Sequence, residues 1–105
     1  MMMTTAATGK SQLVDAIGNK ARLLILNSIV SQPKYISQIV RDTNLSRPAV
    51  CFHLGVLEQA SIVSSNYQVL EPPHSPSGKA ARFYSVNKSK LGEAFDEFKK
   101  LSTFG

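Results

Sequence analysis

The sequence predicts a mainly helical domain with a small β-hairpin, in the element order α-α-α-α-β-β-α. Three observations predict it. Apolar residues recur at intervals of three and four along most of the chain, which is the period of an α-helix. After Ala60 the apolar period changes to two, which is that of a strand. Helix-ending residues, Gly18 and Asn44, separate the helical stretches.

Length and composition indicate one intracellular domain. The chain has 105 residues, and its first ten are small and polar apart from the methionines. We therefore expect a disordered N-terminus over residues 1–10 and a single domain over residues 11–105. One cysteine cannot form an internal disulfide, and neither a signal peptide nor a stretch of ~20 apolar residues is present. These features favour a cytoplasmic, nucleoid-associated protein.

The charge balance favours a polyanionic partner. Twelve Lys and Arg residues against seven Asp and Glu give a net charge of +5. Such a charge fits nucleic acid better than a membrane surface. Charge alone leaves open the alternative of a basic protein that is merely soluble.

The first part of the chain predicts two helices and a short strand. Ser11 is expected to cap the first helix, which ends at Gly18. Asn19 is expected to cap the second helix, which extends to about Val30. Because this second helix is apolar on more than one side, it should be central or shared between subunits. Residues 34–36 are consistent with a short edge strand.

Residues 37–60 predict two helices joined by a tight turn. Ile39 and Val40 give the first helix an apolar side, and Asp42 to Asn44 interrupt it. Ser46 is well placed to cap the second helix, whose buried stripe contains Val50, Leu54 and Leu57. A second helix that opens with small, polar and basic residues and is anchored by aliphatic ones is typical of a helix-turn-helix.

Residues 62–102 predict a hairpin and a last helix. Residues 62–70 alternate as a strand, and residues 82–86 form the returning strand. The connecting residues 71–80 contain three prolines and one glycine, which indicates a loop. Asn87 or Ser89 is expected to cap a final helix from Lys90 to about Ser102.

The segment LSRPAVCFHLGVLEQASIV, residues 45–63, resembles the recognition-helix segment of ArsR-like winged helix-turn-helix transcription regulators. The shared features are the Leu45-Ser46 pair, the run from His53 to Leu57, and the apolar Ile62-Val63. The likeness extends to residues 17–22 and 81–86 and covers roughly residues 13–100. It implies a winged helix-turn-helix fold, DNA binding and a homodimer.

The terminal helices are the expected dimer interface. Two apolar helices that flank a compact helix-turn-helix leave more apolar surface than one small core can bury, and such patches mark interfaces. The alternative is that Phe95 and Phe98 close the core of a monomer. The residues predicted to form the interface are Leu13, Ile17, Leu91, Phe95, Phe98 and Leu101.

The exposed face of the second helix of the motif is the first candidate DNA-binding surface. Arg47 is suited to a bidentate contact with guanine, and Ser46 to a phosphate at the helix N-terminus. An exposed helix without a ligand is the alternative, although it would leave an outward Phe52 unexplained. In the family that this segment resembles, polar or basic residues are more common at positions 52 and 55. Fewer direct hydrogen bonds to DNA are therefore expected here. The predicted contacts are Ser46, Arg47, Pro48, Ala49, Cys51, Phe52 and His53.

The hairpin is the second candidate DNA-binding surface. Its predicted contacts with phosphate or the minor groove are His74, Ser75, Ser77, Lys79 and Arg82. The alternative is an ordinary solvated loop. Cys51 is interpreted as a small residue tolerated beside DNA, with a redox role as the alternative. His53 is expected to satisfy a backbone group or a phosphate rather than a metal.

The residues predict neither a metal site nor a cofactor nor an enzyme. The family's thiol-rich metal motif would fall at residues 35–40, which contain no cysteine. The last helix has Glu93, Asp96 and Glu97 but no histidine, which does not resemble a zinc site. Glycine-rich phosphate loops and nucleophile motifs are also missing from the sequence.

The function that the sequence predicts is therefore a homodimeric regulator of transcription. It would bind double-stranded DNA in a sequence-specific way, most simply as a repressor that blocks a promoter. The alternative is a winged-helix module that docks on another protein through Phe52 and binds DNA only weakly. A small enzyme is a third option, and it would need a metal or nucleotide that the sequence does not indicate.

Overall fold

The computed structural model describes residues 10–70 and 79–102. The predictions made for residues 1–9 and for the loop residues His74, Ser75 and Ser77 lie outside the described residues. The helices are α1 (Lys10–Ile17), α2 (Lys20–Ile29), α3 (Ile36–Thr43), α4 (Arg47–Gln59) and α5 (Lys88–Ser102). The strands are β1 (Lys34–Tyr35), β2 (Val63–Val69) and β3 (Ala80–Val86).

Three of the predicted helix caps are present. The Asn19 side chain accepts from the backbone N–H of Arg22 at 3.2 Å, and the Ser46 hydroxyl accepts from that of Ala49 at 3.2 Å. At the start of α5, Asn87 Oδ1 accepts from the backbone N–H of Lys90 at 3.2 Å, which decides between the two caps that were considered. These bonds satisfy N–H groups that the first turn of a helix leaves without partners.

Three predicted helix ends were wrong by a residue or two. Helix α5 begins at Lys88 and not at Lys90. Helix α1 already includes Lys10, so Ser11 lies within the helix instead of capping it. Helix α3 continues through Thr43, whose hydroxyl donates to the Ile39 carbonyl at 2.7 Å within the last turn. All three differences fall within the usual scatter of helix ends.

The strands form one antiparallel sheet in the order β1-β3-β2. Strand β1 therefore lies at an edge, as predicted, with Lys34 opposite Tyr84. The hairpin β2–β3, called the wing below, pairs Val63 with Val86 at one end and Val69 with Ala80 at the other. Compared with the predicted order, the sheet adds β1 as a third strand beside the wing.

The core lies where α4 crosses the other helices and the start of the wing. Its central stripe is formed by Val50, Leu54 and Leu57, all at most 1% exposed. Residues from α2, α3 and the segment before β2 surround this stripe, and each is fully buried: Ile25, Ile39 and Ile62. Burial of this stripe fixes which face of α4 points outward.

The stability of the fold should depend strongly on this stripe. We expect Leu57→Ala to lower the free energy of unfolding by about 2–5 kcal/mol, because it removes buried methyl groups and leaves a cavity. Urea denaturation followed by circular dichroism measures the change. Gln59→Ala is the matched control on the exposed side of the same helix, and it should change stability by less than ~0.5 kcal/mol. Equal losses in the two variants would contradict this assignment of the core.

Candidate nucleic-acid interface

The turn between α3 and α4 sets the orientation of α4. Asn44 ends α3 in the left-handed conformation, with φ of 60°, and its N–H donates to the Val40 carbonyl at 2.8 Å. Asparagine tolerates this conformation better than most residues. Ser46 then caps α4, and Pro48 lies in the first turn, where a missing N–H costs no helical hydrogen bond. Hydrogen bonds therefore stabilise the turn both at the end of α3 and at the start of α4.

The face of α4 opposite the core is exposed. Pro48, Cys51 and Gly55 face solvent, and Phe52 is 65% exposed. A Cβ atom added at Gly55 would meet nothing within 4 Å, so packing does not require a glycine there. Ala49 lies half-buried beside this surface. Most of the predicted contact residues thus lie on one open surface, and their contact with DNA stays a prediction.

Arg47 extends this surface onto α3. Its Nη2 atom donates to the Ser37 hydroxyl at 2.8 Å, and both residues are exposed. Within the described part of the chain, no carboxylate forms an ion pair with Arg47. A bond to a neutral hydroxyl leaves the charge of the guanidinium uncompensated. This charge is therefore available to an anion at the junction of the two helices.

His53 has a different partner from the one expected. Its Nδ1 atom lies 3.1 Å from Nη1 of Arg22, a residue of α2, and not against a backbone group. Arg22 also donates from Nε to the Ala16 carbonyl at 2.7 Å and from Nη2 to the Asp15 carbonyl at 3.2 Å. One guanidinium therefore joins the end of α1 to α4. Arg22 thus takes the place of the expected backbone partner, which the sequence did not indicate because the two residues are 31 positions apart, and the expected phosphate contact stays a prediction.

The environment of His53 disfavours its protonated form. Burial, together with the nearby charge of Arg22, lowers the pKa of His53 below its ordinary value of 6.5. The Phe52 ring also lies edge-on to the imidazole, with the ring centroids 5.2 Å apart. A neutral imidazole can accept the hydrogen bond from Arg22, whereas a protonated one cannot.

Arg82 is bonded within the protein. It lies in strand β3 and not in the loop, and its Nη2 atom donates to Glu58 Oε2 at 3.1 Å. Its Nε atom donates to the Ser65 hydroxyl at 2.8 Å. Lys79, the other predicted phosphate contact that the structure describes, directly precedes β3 and is exposed, and its carbonyl accepts from the Leu70 N–H at 2.9 Å. Of these two predicted phosphate contacts, Arg82 already has a carboxylate partner.

The residues predicted for a dimer interface divide into two groups. Leu13 and Ile17 are 1% and 4% exposed within one chain, so their side chains belong to its own core and are not offered to a partner. Amphipathic helix α1 turns its apolar side toward α5, and this explains the correction. Leu91 is half-buried. The exposed members of the set are Phe95, Phe98 and Leu101, at 42%, 52% and 58%.

Leu23 of α2 lies beside the exposed residues of α5. Two apolar grooves, with volumes of ≈ 240 and ≈ 330 Å³, meet there, and both are lined by Leu23 and Phe95. Leu23 is 41% exposed and Leu24 39%, which places aliphatic side chains of α2 at the surface. The broad apolar character of α2 in the sequence was the signal for this surface.

The acidic residues of α5 do not fit a metal site. Glu93 pairs with Lys90 at 3.5 Å, and Glu97 with Lys100 at 3.3 Å. Among residues 10–70 and 79–102, no group of three or more His, Cys, Asp and Glu side chains lies close enough to hold a metal ion. The donor chemistry of α5, carboxylates bonded to lysines without a histidine, also differs from that of a zinc site.

These elements define a winged helix-turn-helix protein. Helices α2 to α4 pack together, a tight turn precedes the outward-facing α4, and the β-hairpin β2–β3 adjoins it. Residues 19–65 match the model of the family described as bacterial regulatory protein, arsR family. An HTH-type transcriptional regulator of Methanocaldococcus jannaschii is 36% identical over 87 residues, which cover 83% of this chain and 85% of that protein. The chain belongs to the arsR family of bacterial regulatory proteins, and it is a DNA-binding transcription regulator.

Solved structures share this fold. A possible transcriptional regulator for arsenical resistance superposes with a TM-score of 0.67 at 17% identity, over 86% of this chain and 83% of its own. NolR from Sinorhizobium fredii superposes with a TM-score of 0.64 at 21% identity, over 87% and 81%. These similarities confirm the predicted fold class. The family is one of transcription regulators and not of enzymes. Among the described helices, none is long and apolar enough to cross a membrane.

Sequence reasoning missed three residues with a structural role: Arg22, which joins α1 to α4, Glu58, which pairs with Arg82, and Leu23, which lies in the apolar patch of α2 and α5. Arg22 was noted only as part of the resemblance, and Glu58 and Leu23 were given no role at the site. Glu58 is the one acidic residue between Asp42 and Glu71, and this isolation within a basic protein was a usable signal. Its partner Arg82 lies 24 residues away, so the pair becomes evident only from the register of the wing.

Stability should depend on pH through His53. Because the pKa of His53 in the folded protein lies below 6.5, the unfolded chain binds a proton at a higher pH than the folded chain does. The free energy of unfolding should therefore fall as the pH drops below about 6.5. In His53→Gln, where an amide oxygen can still accept from Arg22, this part of the pH dependence should disappear.

Urea denaturation at several pH values between 5 and 8 measures the effect. His74→Gln replaces the only other histidine and serves as the control. This variant should keep the pH dependence of the original protein. If His53→Gln and the original protein lose stability in parallel below pH 6.5, the pKa of His53 is not lowered in the folded protein.

Proposed function

We propose that this regulator is a sequence-specific repressor that binds its operator as a homodimer inside the cell, at the nucleoid. The observation that carries the proposal is the outward face of α4. The buried stripe of the helix turns Pro48, Cys51 and Phe52 toward solvent next to the uncompensated charge of Arg47. An α-helix fits the major groove of B-DNA, and this face is the one that it would present.

Each part of the surface has its own task in this proposal. Arg47 and the capped N-terminus at Ser46 approach one strand where α4 enters the groove, and Arg47 contacts a guanine edge. Ala49 and Phe52 offer apolar contact to thymine methyl groups. The wing, with Lys79 at its described end, lies along the neighbouring phosphates or minor groove. The bound dimer then blocks access of the transcription machinery to the promoter.

Replacing Arg47 and Lys79 should separate sequence reading from phosphate binding. Arg47→Ala should reduce discrimination between the preferred duplex and other duplexes by about 1–3 kcal/mol. Lys79→Ala should weaken binding to all duplexes alike and reduce the slope of log affinity against log salt by about one. Fluorescence anisotropy with a mixed-sequence duplex pool, followed by selection of a preferred duplex, provides both measurements.

Two results would count against the proposal. No binding to any duplex at low salt would leave protein docking through Phe52 as the better explanation of the exposed face. Equal effects of the two substitutions on every duplex would remove the proposed division between base and phosphate contacts. Gln59→Ala, on the same helix but near its C-terminus, provides a control for changes in helix content.

The apolar surface of α5 and α2 supports the homodimer. Phe95, Phe98 and Leu101 are exposed along one side of α5, and Leu23 continues the patch onto α2. Contiguous apolar surface of this kind marks an interface in small proteins. A two-fold dimer would place two copies of α4 about one turn of DNA apart, ~34 Å, which is what two half-sites require.

Placing a charge on this patch should separate the protomers. Phe98→Glu should convert the dimer to the 11.4 kDa monomer, because burying a carboxylate in an apolar interface carries a large desolvation cost. Tyr67→Glu is the matched control, since Tyr67 is an exposed aromatic residue of the wing, at 71%. Sedimentation equilibrium gives the mass of both variants. A Phe98→Glu protein that remains dimeric would place the interface elsewhere.

A further inference from the structure

Glu58, Ser65 and Arg82 form a closed set of hydrogen bonds between α4 and both strands of the wing. Arg82 donates from Nε to the Ser65 hydroxyl at 2.8 Å, and Ser65 donates onward to Glu58 Oε2 at 2.9 Å. Arg82 Nη2 completes the set, at 3.1 Å from Oε2 and 3.4 Å from Oε1 of Glu58. We call these three residues the wing latch.

The ring of Tyr84 makes a cation–π contact with Arg82 of the latch. The guanidinium carbon of Arg82 lies 5.3 Å from the centroid of this ring, and Tyr84 itself is only 5% exposed. A cation over an aromatic face is attracted by the ring. The guanidinium is thus held by a carboxylate, a hydroxyl and a ring at the same time. Three partners fix its position better than a single surface ion pair would.

The position of the latch connects the two DNA-binding elements. Glu58 lies in the last turn of α4. Ser65 of β2 lies opposite Tyr84 in the half of the wing nearer the core, and Arg82 of β3 lies opposite Tyr67 in the outer half. In this outer half, Tyr67 and Val69 of β2 are exposed, at 71% and 62%. The outer half of the wing therefore has little apolar packing of its own to fix its angle relative to α4.

We infer that Glu58 and Arg82 are positioning residues for DNA binding: they hold the wing at a fixed angle to α4, and Arg82 does not contact phosphate. This inference deepens the proposed function and rests on it, since it assumes that α4 and the wing bind the same duplex. Of the two residues, Glu58 gives the more informative test. A negative charge near a DNA-binding face weakens binding by repulsion, so its loss alone would strengthen binding.

The test uses variants of the full chain in fluorescence anisotropy with the mixed-sequence duplex pool. Glu58→Ala should bind the pool about three- to tenfold more weakly, although it makes the protein more positive, because the wing is no longer fixed. Glu58→Gln, which can still accept one hydrogen bond, should fall between this variant and the original protein. Glu93→Ala removes a carboxylate from α5 as the matched control, and it should bind at least as tightly as the original.

Arg82 is tested through the salt dependence and through a double substitution. Arg82→Ala should weaken binding without changing the salt slope, whereas loss of a phosphate contact would reduce the slope by about 0.9. The double variant Glu58→Ala/Arg82→Ala should bind about as well as either single variant, because each substitution already breaks the latch. A Glu58→Ala protein that binds as tightly as the original, or an Arg82→Ala slope lower by about one, would overturn the inference.

Hydrogen exchange of the free protein separates the latch from the proposed function. In Glu58→Ala the amides of residues 65–69 and 80–83 should exchange faster, while those of the α4 core stripe keep their protection. Faster exchange in the wing together with no DNA binding by the original protein would support the latch and defeat the proposed function. Unchanged exchange in the wing would overturn the latch itself. Uniform loss of protection in Glu58→Ala would show general unfolding, and the same measurement on Glu58→Gln then decides. Faster exchange confined to the wing of that variant would support the latch, and unchanged exchange would oppose it.

Discussion

The burial of one stripe of α4 is the constraint on which the rest of this structure depends. Val50, Leu54 and Leu57 are at most 1% exposed, and side chains from α2, α3 and the segment before β2 surround them. A helix has one rotation about its axis that buries such a stripe, so the same contacts decide which residues face outward. The candidate DNA-binding surface is therefore a consequence of core packing. The turn at Asn44 and the cap at Ser46 set where the helix begins.

Polar contacts then attach the neighbouring elements to this helix. Arg22 joins the end of α1 to His53, Arg47 bonds to Ser37 of α3, and Glu58 bonds to both strands of the wing. Each of these bonds lies at the margin of the core, where apolar packing becomes thin. The core thus fixes the orientation of α4, and the side-chain bonds fix the position of the elements around it.

The parts of the fold that depend on local signals could be predicted from the sequence. Caps such as Asn19 and Ser46, and the buried stripe of α4, follow from residue type and spacing within a few residues. The partners of His53 and Arg82 could not be predicted in this way, because those bonds join residues 31 and 24 positions apart. The burial of Leu13 and Ile17 was missed for a related reason. An apolar helix can face its own core or a partner, and its periodicity is the same in both cases.

The composition of α4 shows how its helical structure is maintained. Gly55 has low helix propensity in the helix interior, and the β-branched Val50 and Val56 are only moderate helix formers, so the isolated segment would hold its shape poorly. Its order comes from the buried stripe, while the outward positions contribute little to it. Residues on that outer face can therefore change during evolution with little effect on whether the helix forms. A scaffold of this kind can acquire new DNA targets by surface substitution while the buried residues that determine its fold stay the same.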